Sequence, residues 1–251
     1  MASGVIKHLV LAGYDVIALE KPAPSCVRRY VCYAEAIFKK RVTIEGVTAV
    51  LVNTIEEAVA TTGNLIVPML IDPEATQLSR LAPSAVVDGR MLKQRSETSL
   101  DMAPAVIGLG PGFTVSDNCH AAIETNRGTN LGRVLYAGSP QAYSGVPASV
   151  EGYGRERVLR SPAEGIFEAR CRITDTVRKG QILGRVASVA VIGAIDGVVR
   201  GLIHDGLEVV SGQKIGDIDP RGVQESCYQM SDKANAIGQG VLQALKTLSR
   251  Q

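Results

Sequence analysis

The sequence lacks several features that define whole classes of protein. It has no tryptophan, three histidines and 4% aromatic residues among 251. No apolar run approaches the roughly 20 residues of a transmembrane helix, and the N-terminal stretch has neither the basic region nor the cleavage site of a secretory signal. Five scattered cysteines without a C-x-x-C pair disfavour both a disulfide framework and a zinc site. We therefore expect a cytoplasmic protein without membrane association or a bound metal.

The charge is nearly balanced, since 27 Lys and Arg stand against 25 Asp and Glu and leave a net charge of +2. A weak overall field and the absence of a long basic run disfavour a nucleic-acid partner. A homo-oligomer is compatible with this composition. The length allows one large domain or two smaller ones.

Residues 1–155 alternate between strand-like and helix-like segments, which is typical of an α/β sheet. A helical pattern over residues 4–12 leads to the short strand DVIALE, as in the second half of a βαβ unit. Glu20 ends that strand, where dinucleotide-binding folds place an acidic residue that binds the ribose hydroxyls of the cofactor. The alternative is that Glu20 is a solvated residue at the end of the strand. The first strand of such a unit is missing, so we predict a Rossmann-like α/β domain over residues 1–155 without its first strand.

The stretch GLGPGFTVSDNCHAAIETNRG, residues 108–128, follows a buried strand and is the main candidate site. Gly108, Gly110 and Gly112 could let backbone amides approach an anion. The spacing is G-x-G-x-G rather than G-x-G-x-x-G, Pro111 removes one donor, and a hairpin rather than a helix follows. An anion-binding loop and a purely structural turn both remain open. The polar candidates beside it are Asp117, His120, Glu124, Asn126 and Arg127.

Two further patterns concern arginine and histidine chemistry. Arg28 and Arg29 are adjacent at a loop edge, where guanidinium groups suit a phosphate or carboxylate; the alternative is an internal salt bridge. His120 could transfer protons near neutral pH, or could be a hydrogen-bonded, partly buried residue. The sequence identifies no catalytic residue.

An internal repeat occupies the last third of the chain. Residues 161–186 and 193–218 align at an offset of 32, matching Gly165 with Gly197 and Gly180 with Gly212. This pattern predicts two interlocking β-hammerheads over residues 156–220, resembling the barrel-sandwich hybrid of biotinyl and lipoyl carrier domains. The linker ASVAVIGAI has no lysine to modify, which disfavours a swinging arm. Residues 221–251 are predicted to form a helical segment that packs back on the first domain, with Ser231 as the N-cap of its helix.

Several segments together resemble a known family. They are EKPAPSCVRRYVCYAEAI, VDGRMLKQ, APAVIGLGPGF, HAAIETNRGTNLGRV, SPAEGIF, AIDGVVRGLI, KIGDIDPRG and SDKANAIGQGVLQAL. The sequence resembles the YqeB-type family of accessory proteins of the selenium-dependent molybdenum hydroxylase system. The resemblance implies a role in hydroxylase maturation, with an apo molybdenum hydroxylase as partner. A maturation factor of this kind could bind molybdopterin cytosine dinucleotide or another nucleotide, chaperone such a cofactor, or dock on the apo-hydroxylase, and the sequence leaves these three alternatives open.

The pyrophosphate of such a cofactor would suit the paired arginines and the glycine-loop amides. Asp88 and Lys93, in the VDGRMLKQ segment, belong to the same candidate set. Two alternatives remain: a Rossmann-type nucleotide-dependent oxidoreductase or transferase, and a non-catalytic docking module. The full set of candidate cofactor-binding residues is Glu20, Arg28, Arg29, Asp88, Lys93, Gly108, Gly110, Gly112, Asp117, His120, Glu124, Asn126 and Arg127.

Overall fold

The computed structural model describes residues 1–143 and 145–250. Two compact units divide the chain. The first, which we call the α/β unit, comprises Met1–Pro22, Lys40–Ser144 and Met230–Gln251. The second, the β unit, comprises Ala23–Lys39 and Gly145–Gln229.

Helices and strands are numbered in chain order. The helices are α1 Ala2–Leu11, α2 Ala36–Lys39, α3 Ile55–Thr61, α4 Leu78–Leu81 and α5 Asp232–Leu248. The first eight strands are β1 Ala18–Glu20, β2 Arg41–Ile44, β3 Val47–Val52, β4 Ile66–Ile71, β5 Ala85–Asp88, β6 Ala105–Leu109, β7 Ala121–Ile123 and β8 Val134–Leu135. The last eight are β9 Val158–Arg160, β10 Gly165–Ala169, β11 Thr176–Val177, β12 Ile182–Val186, β13 Val189–Ile192, β14 Gly197–Leu202, β15 Glu208–Val209 and β16 Lys214–Asp219.

The α/β unit contains two separate mixed sheets. One has the strand order β1-β4-β3-β2, in which β4 runs parallel to β1 and β3 while β2 is antiparallel to β3. The other has the order β5-β6-β7-β8, in which the first three strands are parallel and β8 is antiparallel to β7. Short parallel stretches therefore end at two different edges rather than at one long edge.

Helices α1 and α5 cover one face of the second sheet. Val5 and Leu9 of α1 and Ile237 of α5 join Ile107 and Ile123 in one buried cluster. The predicted N-cap is confirmed, because the Ser231 side chain accepts a hydrogen bond from the Ala234 amide at 3.2 Å. This cap fixes the start of α5, and with it the position of the first-turn side chains.

The β unit contains two antiparallel sheets, with the orders β13-β12-β10-β15 and β11-β14-β16-β9. Strands β10, β11 and β12 recur as β14, β15 and β16 at the 32-residue offset seen in the sequence. Residues 23–39 belong to this unit, since Val27 and Tyr30 pack against its core and the Leu202 amide donates to the Val27 carbonyl at 2.8 Å.

The predicted fold class is wrong. Residues 1–143 and 145–250 form four separate four-stranded sheets, rather than one Rossmann-like N-terminal sheet followed by a biotinyl-like barrel-sandwich module. In the described residues, the connection from β6 to β7 has no helix, and the only helical turn between β5 and β6 is the 3₁₀ turn Leu100–Met102. The glycine- and proline-containing loop after β6 turns directly into the next strand. A helix N-terminus facing a phosphate, as a Rossmann site needs, is therefore missing from this loop.

Candidate functional site

Three parallel strands of the second sheet end at one edge. Asp88 ends β5 level with Gly108 of β6, and Leu109 is level with Ile123 of β7. Gly110 and Glu124 are the next residues after those two strands. We call this region, with the segments that contact it, the carboxyl edge. Open α/β sheets place ligands at such edges.

Asp88 is buried and fully engaged by its own segment. Its Oδ2 accepts hydrogen bonds from Arg90 at 2.6 Å, Thr98 at 2.7 Å and Ser96 at 3.1 Å, and its Oδ1 accepts from the Arg90 amide at 3.0 Å. Burial alone would raise the pKa of the Asp88 carboxyl, but the hydrogen bonds from Arg90 and Thr98 hold it below its ordinary value. The Asp88 carboxyl is therefore ionised, and its hydrogen bonds fix the conformation of residues 88–98.

Packing explains the three glycines of the loop. An ideal Cβ on Gly108 would overlap the Phe113 ring, and one on Gly112 would lie 2.6 Å from the Gln94 carbonyl oxygen. Gly110 has a φ of +86°, and a Cβ there would lie 3.0 Å from Thr125 Oγ1. The Gly110 amide donates to the Ile123 carbonyl at 3.1 Å, so it is already used within the chain. These contacts favour the structural-turn interpretation of the G-x-G-x-G sequence.

Glu124 and Asn126 hold a neighbouring segment against the edge. The buried Glu124 carboxylate accepts from the Asn126 amide at 2.7 Å and from the Gln141 amide at 2.8 Å. The Asn126 side chain donates to the Ala142 carbonyl at 3.0 Å. The same segment carries Tyr143, and the Lys93 ammonium lies 4.5 Å from the centre of its ring. Lys93, Glu124 and Asn126 are thus connected through residues 141–143.

Arg127 and Lys233 bring positive charge to this edge. Arg127 makes a bidentate ion pair with Asp232 at 2.9 and 3.2 Å, and both side chains are exposed. Lys233 is half-buried. Burial and the neighbouring Arg127 lower the pKa of its ammonium, although Glu124 and Asp232 act in the opposite direction. Within residues 1–143 and 145–250, that ammonium has no hydrogen-bond or ion-pair partner.

The sequence pattern does not single out Lys233, because the apolar stripe of the C-terminal segment predicts a packing helix. One signal was available. Lys233 is the second residue of α5, where the positive end of the helix dipole disfavours a cation. A residue that breaks a local rule in this way is a functional candidate.

Other predicted residues lie elsewhere in the α/β unit. His120 precedes β7 and is level with the start of β6, where its Nδ1 accepts from the Val106 amide at 3.0 Å. Asp117 pairs with Arg95 on the surface at 2.9 Å. Glu20 ends β1 in the other sheet, and its carboxylate accepts from the Lys21 amide at 2.9 Å. These contacts place the three side chains outside the carboxyl edge.

Arg28 and Arg29 belong to the β unit and bind its backbone. Arg28 donates to the Ser226 and Gln229 carbonyls, each at 3.0 Å, and burial followed by the nearby Arg200 lowers its pKa to about 10. Arg29 donates to the Leu202 carbonyl at 2.7 Å. The structure therefore does not bring the paired arginines into one compact unit with the glycine loop.

The described residues hold no group of three or more His, Cys, Asp or Glu arranged for a metal ion. No helix in the same part of the chain is long and apolar enough to cross a membrane. A groove of about 680 Å³ lies between α4 and the 3₁₀ turn before β6, and its described lining includes none of the predicted site residues.

Fold and site together define a two-unit protein: a mixed α/β unit with a partly buried cation at its carboxyl edge, and an antiparallel β unit with an internal repeat. Comparison with known proteins then supports a YqeB-type sequence. The chain is 45% identical over all 251 residues to the uncharacterised protein YqeB of Escherichia coli strain K12, and it spans 46% of that protein's length. No family model matches the chain.

Solved structures give only weak similarity. An aspartoacylase family protein from Mesorhizobium loti is 18% identical, with a TM-score of 0.24 over 33% of this chain and 32% of its own. A succinylglutamate desuccinylase/aspartoacylase from Rhodobacter sphaeroides is 16% identical, with a TM-score of 0.25 over 46% of this chain and 45% of its own. Similarity at this level assigns neither a fold nor an activity to the chain.

Proposed function

We propose that the chain is the ligand-binding part of an accessory protein for maturation of selenium-dependent molybdenum hydroxylases. In this proposal, the carboxyl edge binds an anionic nucleotide-type ligand, such as molybdopterin cytosine dinucleotide, and the protein does no chemistry on it. The sequence resemblance supports the maturation role. The observation that carries the ligand-binding role is the half-buried Lys233 ammonium, which has no hydrogen-bond or ion-pair partner among the residues that the structure describes.

An anion supplies what Lys233 lacks. A phosphate oxygen would give the ammonium a charge-assisted hydrogen bond, and the nearby Arg127 adds positive charge at this edge. Glu124 is occupied by two backbone amides, so it fixes the local backbone rather than contacting the ligand. The edge therefore has the positive charge to bind a phosphate, and the Glu124 carboxylate is held by backbone amides.

The test compares Lys233→Gln with Lys246→Gln, which removes an exposed lysine from the last turn of the same helix. Thermal stability and calorimetric binding are measured with molybdopterin cytosine dinucleotide, CTP, NAD(H) and inorganic pyrophosphate. A ligand that binds the native state raises the apparent stability. Loss of a charged hydrogen bond of about 1.5–3 kcal/mol should weaken binding roughly ten- to hundredfold in Lys233→Gln. Lys246→Gln should bind like the unaltered protein.

Two results would reject the binding site. One is no response to any of these anions, and the other is equal affinity in both variants. A response to NAD(H) without a response to the pterin nucleotide would instead support the nucleotide-dependent enzyme alternative.

The pH dependence gives an independent check. The pKa of Lys233 lies below its ordinary value of 10.5 in the ligand-free protein. The ammonium therefore loses its proton at a lower pH than an exposed lysine does, and anion affinity should fall as pH rises through that lowered pKa. Lys233→Gln should bind weakly without this pH-dependent loss.

The maturation role needs a separate measurement. Hydroxylase activity in cells lacking the gene should be restored by the unaltered full-length protein and by its Lys246→Gln variant, but not by Lys233→Gln. If Lys233→Gln binds no ligand in vitro yet restores full activity, the site binds an anion that maturation does not use. Direct docking on the apo-hydroxylase would then be the function to pursue.

A further inference from the structure

Two thiols meet in the segment of the β unit that precedes α2. Cys26 and Cys32 lie on either side of the 3₁₀ turn Arg29–Val31, and their Sγ atoms are 2.8 Å apart. Both residues are half-buried, whereas Cys119, Cys171 and Cys227 are buried. A small reagent in solution can therefore reach this pair of cysteines in preference to the other three.

The backbone between the two thiols is fixed to strand β14. The Leu202 amide donates to the Val27 carbonyl at 2.8 Å, and the Arg29 Nε donates to the Leu202 carbonyl at 2.7 Å. The approach is close enough that a Cβ on Gly201 would lie 2.7 Å from Val27 Cγ1. The chain is held on both sides of Arg28, so the thiols stay adjacent without help from a covalent bond.

We propose that Cys26 and Cys32 form a reversible dithiol–disulfide couple that reacts with small disulfides such as oxidised glutathione. A deprotonated thiol of the pair attacks one sulfur of glutathione disulfide, forming a mixed disulfide and releasing one glutathione thiolate. The second cysteine loses its proton and attacks the protein-side sulfur, which closes the Cys26–Cys32 bond and releases the second glutathione. The pair loses two electrons and two protons, and glutathione disulfide is reduced to two thiols.

Closing the bond requires only a local movement. A disulfide holds its sulfurs at about 2.05 Å, so the two Sγ atoms must approach by less than an ångström from their 2.8 Å separation. The anchored loop makes the second step intramolecular, so the mixed disulfide should be short-lived.

The full chain is incubated with glutathione buffers of increasing oxidised fraction, quenched in acid, alkylated after denaturation and analysed by mass spectrometry. The number of alkylated thiols should fall from five to three. Trypsin cleaves after Arg28 and Arg29, between the two cysteines, so an internal disulfide appears as two tryptic peptides that separate on reduction. Cys119, Cys171 and Cys227 should be alkylated in full.

Single variants test the second step. In Cys26→Ser and Cys32→Ser, the remaining thiol should hold one glutathione that persists, whereas in the unaltered protein this adduct should be resolved. Five alkylated thiols under oxidising buffer would overturn the proposal. So would a stable glutathione adduct on the unaltered protein, or a disulfide to any of the three buried cysteines.

Discussion

Alanine at Gly108 should destabilise the protein even when no ligand is present. Gly108 pairs with Asp88 and Ala122 in the middle of the second sheet, and an added Cβ would overlap the Phe113 ring. That ring is 1% exposed and is packed within a buried cluster, so it cannot move aside into solvent. Overpacking of a rigid core typically costs about 1–3 kcal/mol. We expect a loss near the upper end of this range.

A double-mutant cycle separates overpacking from other effects. Phe113→Ala alone should cost about 3–5 kcal/mol because it leaves a cavity. Removing the ring also removes the overlap, so adding Gly108→Ala to it should cost little more, which gives a coupling of roughly 2 kcal/mol. Urea unfolding is followed by circular dichroism, since the chain has no tryptophan. Additive losses, or an unaltered midpoint for Gly108→Ala, would refute the packing explanation of this glycine.

Three further outcomes follow from buried groups. Asp88→Asn should cost about 2–3 kcal/mol in urea unfolding, because the amide cannot accept all the Arg90, Ser96 and Thr98 hydrogen bonds. The pKa of Asp88 in the folded protein lies below its ordinary value of 3.8, so the unaltered protein loses stability as the pH falls below 3.8. Asp88→Asn has no carboxyl to protonate, so its stability should fall less over the same pH range. Burial is the main cause that lowers the pKa of His204 below 6.5, so the stability of the β unit should fall as the pH drops below that value. In His204→Gln, the free energy of unfolding measured by chemical denaturation should depend less on pH in this range. Burial raises the pKa of the Cys119 thiol to about 11, so mass spectrometry should find it unalkylated in the native protein near neutral pH and alkylated after denaturation.

Local patterns in the sequence predicted local structure well. Polar and glycine residues after Ile123 predicted the hairpin of β7 and β8. Ser231 caps α5 because a short hydroxyl side chain before a helix reaches the first free amides. Each of these features depends on residues a few positions apart.

The sheet arrangement could not be predicted in the same way. Alternating strands and helices indicated an α/β fold, but the pattern does not specify that β4 and β5 belong to different sheets. Nor does it specify that Val27 contacts β14, since the hydrogen bond from the Leu202 amide to the Val27 carbonyl joins residues far apart in sequence. Arg28 and Arg29 resembled anion ligands because their backbone partners, Ser226 and Leu202, lie far away in the sequence and cannot be recognised from the neighbouring residues.

Lys233 combines a local disadvantage with a proposed use. Its charge opposes the α5 dipole and is partly buried beside Arg127, so it should destabilise the ligand-free protein. Lys233→Gln should therefore raise the urea midpoint by an amount equivalent to about 0.3–1 kcal/mol, while weakening anion binding. Lys246→Gln should change neither property in this way, because Lys246 lies in the last turn of α5, where a cation is favoured. A substitution that raises stability and lowers affinity indicates that the original residue serves binding rather than folding. A less stable Lys233→Gln protein with unaltered affinity would show instead that the lysine stem serves packing.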